Sequence, residues 1–164
     1  MNCQRILRGL VFVFGLIGLA VHAAGGSYHS VAVANSEWKS IEVNDGTLMS
    51  GYLTGAASIV SGSGVIQTGM TNTSVCIVSV KKHSAGRDIV AECSAHYTEL
   101  DSKMFMRFER KAGDVAASGA KGDGVAKISG GTGKLQGISG ACSYNIKYLN
   151  ADLHVTNMEC DYEL

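Results

Sequence analysis

Residues Ala141 to Tyr162 read ACSYNIKYLNADLHVTNMECDY, two alternating runs joined by a polar turn. Side chains of a β-strand point to opposite faces in turn. On Ala141–Leu149 that rule puts Cys142, Tyr144, Ile146 and Tyr148 on one face and Ser143, Asn145 and Lys147 on the other. On Leu153–Tyr162 it gathers His154, Thr156, Met158, Cys160 and Tyr162 against Asn157, Glu159 and Asp161. The cysteine-bearing faces therefore read as interior and the acidic row as solvated. A turn near residue 151 sets Cys142 almost opposite Cys160 and predicts a disulfide across a β-hairpin.

The same arrangement occurs upstream. Ser74–Val80 (SVCIVSV) turns at His83-Ser84-Ala85-Gly86 and returns as Arg87–Tyr97 (RDIVAECSAHY), which brings Cys76 opposite Cys93. Four cysteines allow three connectivities. Hairpin geometry singles out Cys76–Cys93 with Cys142–Cys160. Each bridge closes a loop of about 18 residues, worth about 3 kcal/mol in the chain-entropy model. Alternation also turns Ile89, Ala91, Cys93, Ala95 and Tyr97 inward, and Met104, Met106, Phe108 and Arg110 with them. The alternative of four reduced, buried thiols is opposed by the front of the chain. A zinc site lacks a Cys-x-x-Cys or a close Cys/His pair, so no metal is expected.

Arg5 and Arg8 precede an uncharged apolar run, Leu10–Val21 (LVFVFGLIGLAV), and Val21-His22-Ala23 fits the small-x-small rule for signal peptidase. Twelve helical residues reach about 18 Å, short of the roughly 30 Å hydrocarbon core of a bilayer. Residues 1–23 are thus read as a cleaved signal peptide and 24–164 as one domain. The expected compartment is the periplasm or the medium, where disulfides persist. Removing Arg5 and Arg8 leaves twelve basic against fourteen acidic residues. No basic patch stands out, so nucleic acid is not an expected partner. No second apolar stretch approaches membrane-spanning length, so no membrane span is expected after signal removal.

The rest of the mature chain is short β-type runs between glycine-rich turns, with no proline and little helical periodicity. Trp38–Val43 is the first run, closed by Asn44-Asp45-Gly46. Thr47–Thr54 and Ala56–Val60 are weaker, and Gly62–Gly69 is punctuated by glycine. Met104–Lys111 and Val125–Ser129 complete the set. About eight strands joined by tight turns make an all-β sandwich or barrel. Closure removes exposed edges and favours a single antiparallel closed barrel.

Small barrels either fill their lumen or leave room for one small ligand. The residues assigned to the lumen are Tyr97, Met106, Arg110, Tyr144, Tyr148, His154 and Met158. The tyrosines and methionines would form an apolar, polarisable wall suited to a small organic molecule. Arg110 and His154 are the polar exceptions. An inward histidine can orient a carbonyl or act as a base, although a rim position with a hydrogen bond is the commoner role. Other motifs weaken on inspection. In Gly130–Gly137 (GGTGKLQG) Leu135 stands where a phosphate loop needs Ser or Thr. Asn72-Thr73-Ser74 fits a glycosylation sequon, a triplet common by chance. No hydrolase elbow or zinc-protease motif occurs.

The run Gly130–Gly140 (GGTGKLQGISG) resembles the GGTGK-aromatic/aliphatic-x-G-I-x-G signature of allene-oxide-cyclase-like and dirigent-like barrels, in particular small exported bacterial members. The segment Cys93–Arg110 (CSAHYTELDSKMFMRFER) is similar to their Cys-x-Tyr-Thr-Asp-x-Asp-Gly-Asp-Lys block, with Leu100 interrupting the acidic turn and Ser102 in place of Gly or Asp. The resemblance implies an eight-stranded antiparallel barrel of the calycin or allene-oxide-cyclase type, a homo-oligomer in many relatives. It further implies binding of a small apolar molecule without a cofactor. No catalytic residue is carried over, and fold analogy alone does not establish activity. Three functions are consistent with the sequence: a lumen-binding barrel, a cofactor-independent isomerase or cyclase, and a packed interaction barrel of the envelope.

Overall fold

The computed structural model describes residues 25–84, 86–110 and 121–164. The expected signal peptide lies outside the described residues. The chain forms eight strands: β1 (Gly26–Val43), β2 (Gly46–Gly62), β3 (Thr71–His83), β4 (Gly86–Tyr97), β5 (Ser102–Arg110), β6 (Lys121–Gly131), β7 (Ser139–Tyr148) and β8 (Leu153–Glu163). Each pairs antiparallel with its sequence neighbours, and β8 returns to pair with β1, closing the barrel. The predicted all-β closed barrel is the observed architecture. Among the described residues no helix is long and apolar enough to cross a membrane.

Both predicted bridges form. Cys76 is the direct cross-strand partner of Cys93, and Cys142 of Cys160, with Cα separations of 4.1 and 4.0 Å. Two such bridges fit an oxidising compartment outside the cytoplasm. The face assignments hold as well. Met104, Met106, Cys142, Tyr144, Cys160 and Tyr162 are buried, while Glu159 and Asp161 on the alternate face of β8 are exposed.

The two ends of the barrel differ. At one end the connections fold inward as a plug. Ile66 between β2 and β3, Leu100 in the 3₁₀ turn Thr98–Leu100, and Leu135 and Ile138 around the 3₁₀ turn Gly133–Leu135 are all buried. They pack on Tyr28, Ile59, Tyr97, Met104, Ile128 and Tyr162. Burying a Leu or Ile side chain contributes about 1.5–3 kcal/mol, so the plug is a substantial part of the core. Strand side chains pin it by hydrogen bonds. Tyr162 Oη donates to the Ser63 carbonyl at 2.6 Å and accepts from the Ile66 amide at 3.1 Å. Ser102 Oγ donates to the Leu100 carbonyl and accepts from the Lys134 amide, both at 2.9 Å.

The Gly130–Gly140 run supplies Leu135 and Ile138 to this plug. Gly133 and Gly137 adopt φ of 58° and 90°, a left-handed backbone that glycine enters without steric cost. That geometry reverses the chain between β6 and β7 and drops Leu135 into the barrel. At the other end the described β1–β2 and β7–β8 connections are hairpin turns, and Val78, Val80 and Ala91 form a smaller buried cluster.

Two boundaries differ from the sequence reading. The expected first strand, Trp38–Val43, is only the second part of β1, and the separate runs Thr47–Thr54 and Ala56–Val60 are one strand, β2. The inner faces of these strands carry Ser30, Ala32 and Ala34 and Gly51, Gly55 and Ala57, residues of weak β signature. Pairing with neighbours, not local propensity, makes them strands.

Candidate functional site in the barrel interior

The interior is packed near the plug and again toward the other end, where Val78, Val80 and Ala91 are buried against Trp38, Met49, Leu53, Ile89 and Phe108. Near the plug, Tyr28, Ile59, Tyr97, Met104 and Ile128 are at most 3% exposed. Farther along, Ala32, Ala34, Leu53, Gly55, Ala57, Ser74, Cys93 and Met158 point inward by alternation yet stay partly exposed. Small side chains on β1, β2 and β3 thus leave space opposite the bulkier groups of β5, β7 and β8.

The seven lumen residues named from the sequence distribute along this axis. Tyr97 belongs to the plug: it is 1% exposed, packs in one cluster with Tyr28 and is the cross-strand partner of Asn72. Burial pushes its phenol up to about 12, so it stays a neutral packing group. Tyr28 beside it is shifted in the same direction by burial, and its hydroxyl donates to Met104 Sδ at 3.6 Å. Asn72, the acceptor of the glycosylation triplet, is itself buried.

Met106 and Met158 sit at mid-height. Met106 is opposite Cys93 and Ile128, and Met158 is opposite Ser30 and Tyr144. Ser30 is 1% exposed and its Oγ is buried without a hydrogen-bond partner.

Toward the mouth lie Arg110, Tyr144, His154 and Tyr148. The rings of Phe108 and Tyr144 meet edge-to-face with centroids 5.2 Å apart. Tyr148 and His154 pack with ring centroids 5.7 Å apart, His154 buried and Tyr148 at the rim, 37% exposed. Burial raises the Tyr144 phenol pKa, with the Arg110 charge opposing it. Desolvation lowers His154 below its ordinary 6.5, so the imidazole is neutral at physiological pH. Arg110 is 9% exposed, and its Nη1 is buried with no partner.

The local sequence makes room for these groups through two glycines on the inward face of β6. Tyr144 is directly opposite Gly124 and lies across it, and the guanidinium of Arg110 lies across Gly122. A Cβ on either glycine would overlap the side chain above it. The sequence reading gave strand glycines no such role. The signal was present as Gly122-Asp-Gly124, glycine on alternate positions, which marks close approach of another group. Ser30 was missed because its strand was.

Two open concavities lie on the outer wall of β1, β2 and β3. One of about 250 Å³ is lined by Glu37, Lys39, Ser50, Tyr52 and Ile77, among others. The other, about 570 Å³, is lined by Val31, Val33, Ala56, Ser58, Thr71 and Thr73, among others. This wall is rich in exposed apolar groups: Val33, Tyr52, Val60, Val75 and Ile77 are 43–58% exposed. Outside β4 and β5, by contrast, charge dominates, with Arg107 bridging Glu92 and Glu109.

Comparison with known proteins finds no matching family model and no significantly similar curated protein.

Proposed function

We propose that this is an exported barrel that holds one small, largely apolar organic molecule in its lumen, as the resemblance to allene-oxide-cyclase-like and dirigent-like barrels implies. One observation carries the reading: the inward mid-strand residues Ala34, Ala57 and Met158 remain partly accessible between the plug and the cluster of Val78, Val80 and Ala91. A small barrel whose interior is not filled at every level can hold one small ligand. Native mass spectrometry of protein purified from the source periplasm or medium tests it. A discrete added mass that is lost on denaturation supports the reading. A ligand-free protein that also fails to take up small apolar molecules overturns it. Incubation of the bound molecule with product analysis separates storage from cofactor-independent isomerisation.

The outer wall supports a second reading. Both concavities and the exposed row Val33, Val75 and Ile77 are on β1–β3, a surface suited to a partner, such as a second copy of the chain. Sedimentation velocity over a concentration series tests this independently of any ligand.

A further inference from the structure

Among the described residues, Arg110 is a buried charge that packing does not explain. A buried charge is normally paired, because desolvating it costs several kcal/mol that only a partner offsets. Yet its Nη1 is buried and makes no hydrogen bond. Among the described residues, the carboxylates that could neutralise it are elsewhere. The ion pairs among the described residues are Lys81–Asp45, His83–Asp88, His96–Asp101 and Arg107 with Glu92 and Glu109. On the described strands, acidic side chains take outward positions except Glu42, which lies at the far tip of β1 and is hydrogen-bonded to Thr47.

The placement is specific. The guanidinium lies over Gly122, where any Cβ would displace it. The groups beside it are uncharged: Phe108 on the same strand and Tyr144 across Gly124, with His154 and Tyr148 farther toward the mouth. We propose that Arg110 anchors the lumen site and that its ligand is a small organic carboxylate, the anionic group accepting the unused Nη1 hydrogen while its apolar body lies against Phe108, Tyr144 and Met158. A carboxylate suits the group because the planar guanidinium presents donors in matching geometry. The inference rests on the lumen reading above and names the chemistry of the molecule held.

The test is calorimetric titration with matched acids and alcohols: hexanoate with hexanol, and benzoate with benzyl alcohol. Wild type should bind each acid at least about tenfold more tightly than its alcohol, the usual worth of a hydrogen bond to a charged group. In Arg110→Met that preference should vanish while alcohol affinity is retained. Gly122→Ala, which keeps the charge but evicts the guanidinium, should also lose it. A charge held for a ligand is not needed for folding, so ligand-free Arg110→Met should melt no lower than wild type. Equal binding of acid and alcohol by wild type overturns the role of Arg110 and leaves the lumen reading intact. So does a marked loss of stability, or failure to fold, in Arg110→Met. If neither acid nor alcohol binds, both fail.

Discussion

Tyr144 folds over Gly124, its direct cross-strand partner, so that the glycine's missing side chain is the floor on which the phenol rests. Trp38 does the same on Gly51, and Tyr162 on Gly26. Aromatic rings covering strand glycines recover packing that glycine forfeits and hold the register of the pair. Gly124→Ala should therefore destabilise the barrel by about 1–3 kcal/mol through overpacking. Urea unfolding monitored by circular dichroism measures it. An alanine tolerated at no cost would show that Tyr144 is free to leave.

Trp38 is the single tryptophan of the chain and reports on its own site. Its indole Nε1 donates to Ser36 Oγ at 2.9 Å. Gly51→Ala should lift the ring from the strand and red-shift its emission as water reaches it. A spectrum identical to wild type would contradict the contact.

Each disulfide ties a pair of directly opposed residues, across sequence separations of 17 and 18. Replacing Cys76 and Cys93 by alanine, or Cys142 and Cys160, should cost about 3 kcal/mol per bridge. Guanidinium denaturation midpoints give the values. The two losses should add, because the hairpins share no strand.

His154 makes stability depend on pH. Its folded-state pKa lies below the ordinary 6.5 because burial disfavours the imidazolium. The unfolded chain thus takes up the proton first as pH falls, and stability is lost below about pH 6.5 as the folded protein approaches its own, lower pKa. Above that pH the side chain is neutral in both states and contributes no slope. His154→Gln should flatten this part of the profile, measured as melting temperature against pH. A slope unchanged by the substitution would assign it to another group.

Ile77 is 58% exposed on the outer face of β3, opposite Tyr52 on β2. Ile77→Lys should change stability by no more than about 0.5 kcal/mol, as expected of an exposed position. It should also abolish concentration-dependent sedimentation if the wall joins two copies. Persistence of the larger species would move the interface elsewhere.

Much of this architecture was legible because cysteine, tyrosine and acidic residues alternate strictly along β7 and β8. That alternation oriented two strands at once and, with the turn at residue 151, set their register. The start of β1 was not legible. Its inner face offers Ser30, Ala32, Ala34 and Ser36 where the reading relied on β-branched bulk, and pairing with β2 and β8 makes it extended. Depth was also beyond reach. Tyr97 and Tyr148 both fall on inward faces, yet one is sealed in the plug and the other stands at the rim. Strand parity tells inside from outside, whereas height along the axis depends on barrel stagger and on which connections fold over the end. The orphaned Nη1 of Arg110 depends on both, since no single strand reveals which partners are missing.

The β1–β8 seam has a consequence for biogenesis. Gly26 finds its neighbour Tyr162 only after nearly every other strand has been synthesised. A nascent chain lacking its last strand is a curled sheet with two naked edges, open to proteases and to other copies of itself. Sealing must then wait for the arrival of the carboxyl-terminal segment, and a chaperone that guards the unfinished edge until that moment would govern how much protein matures.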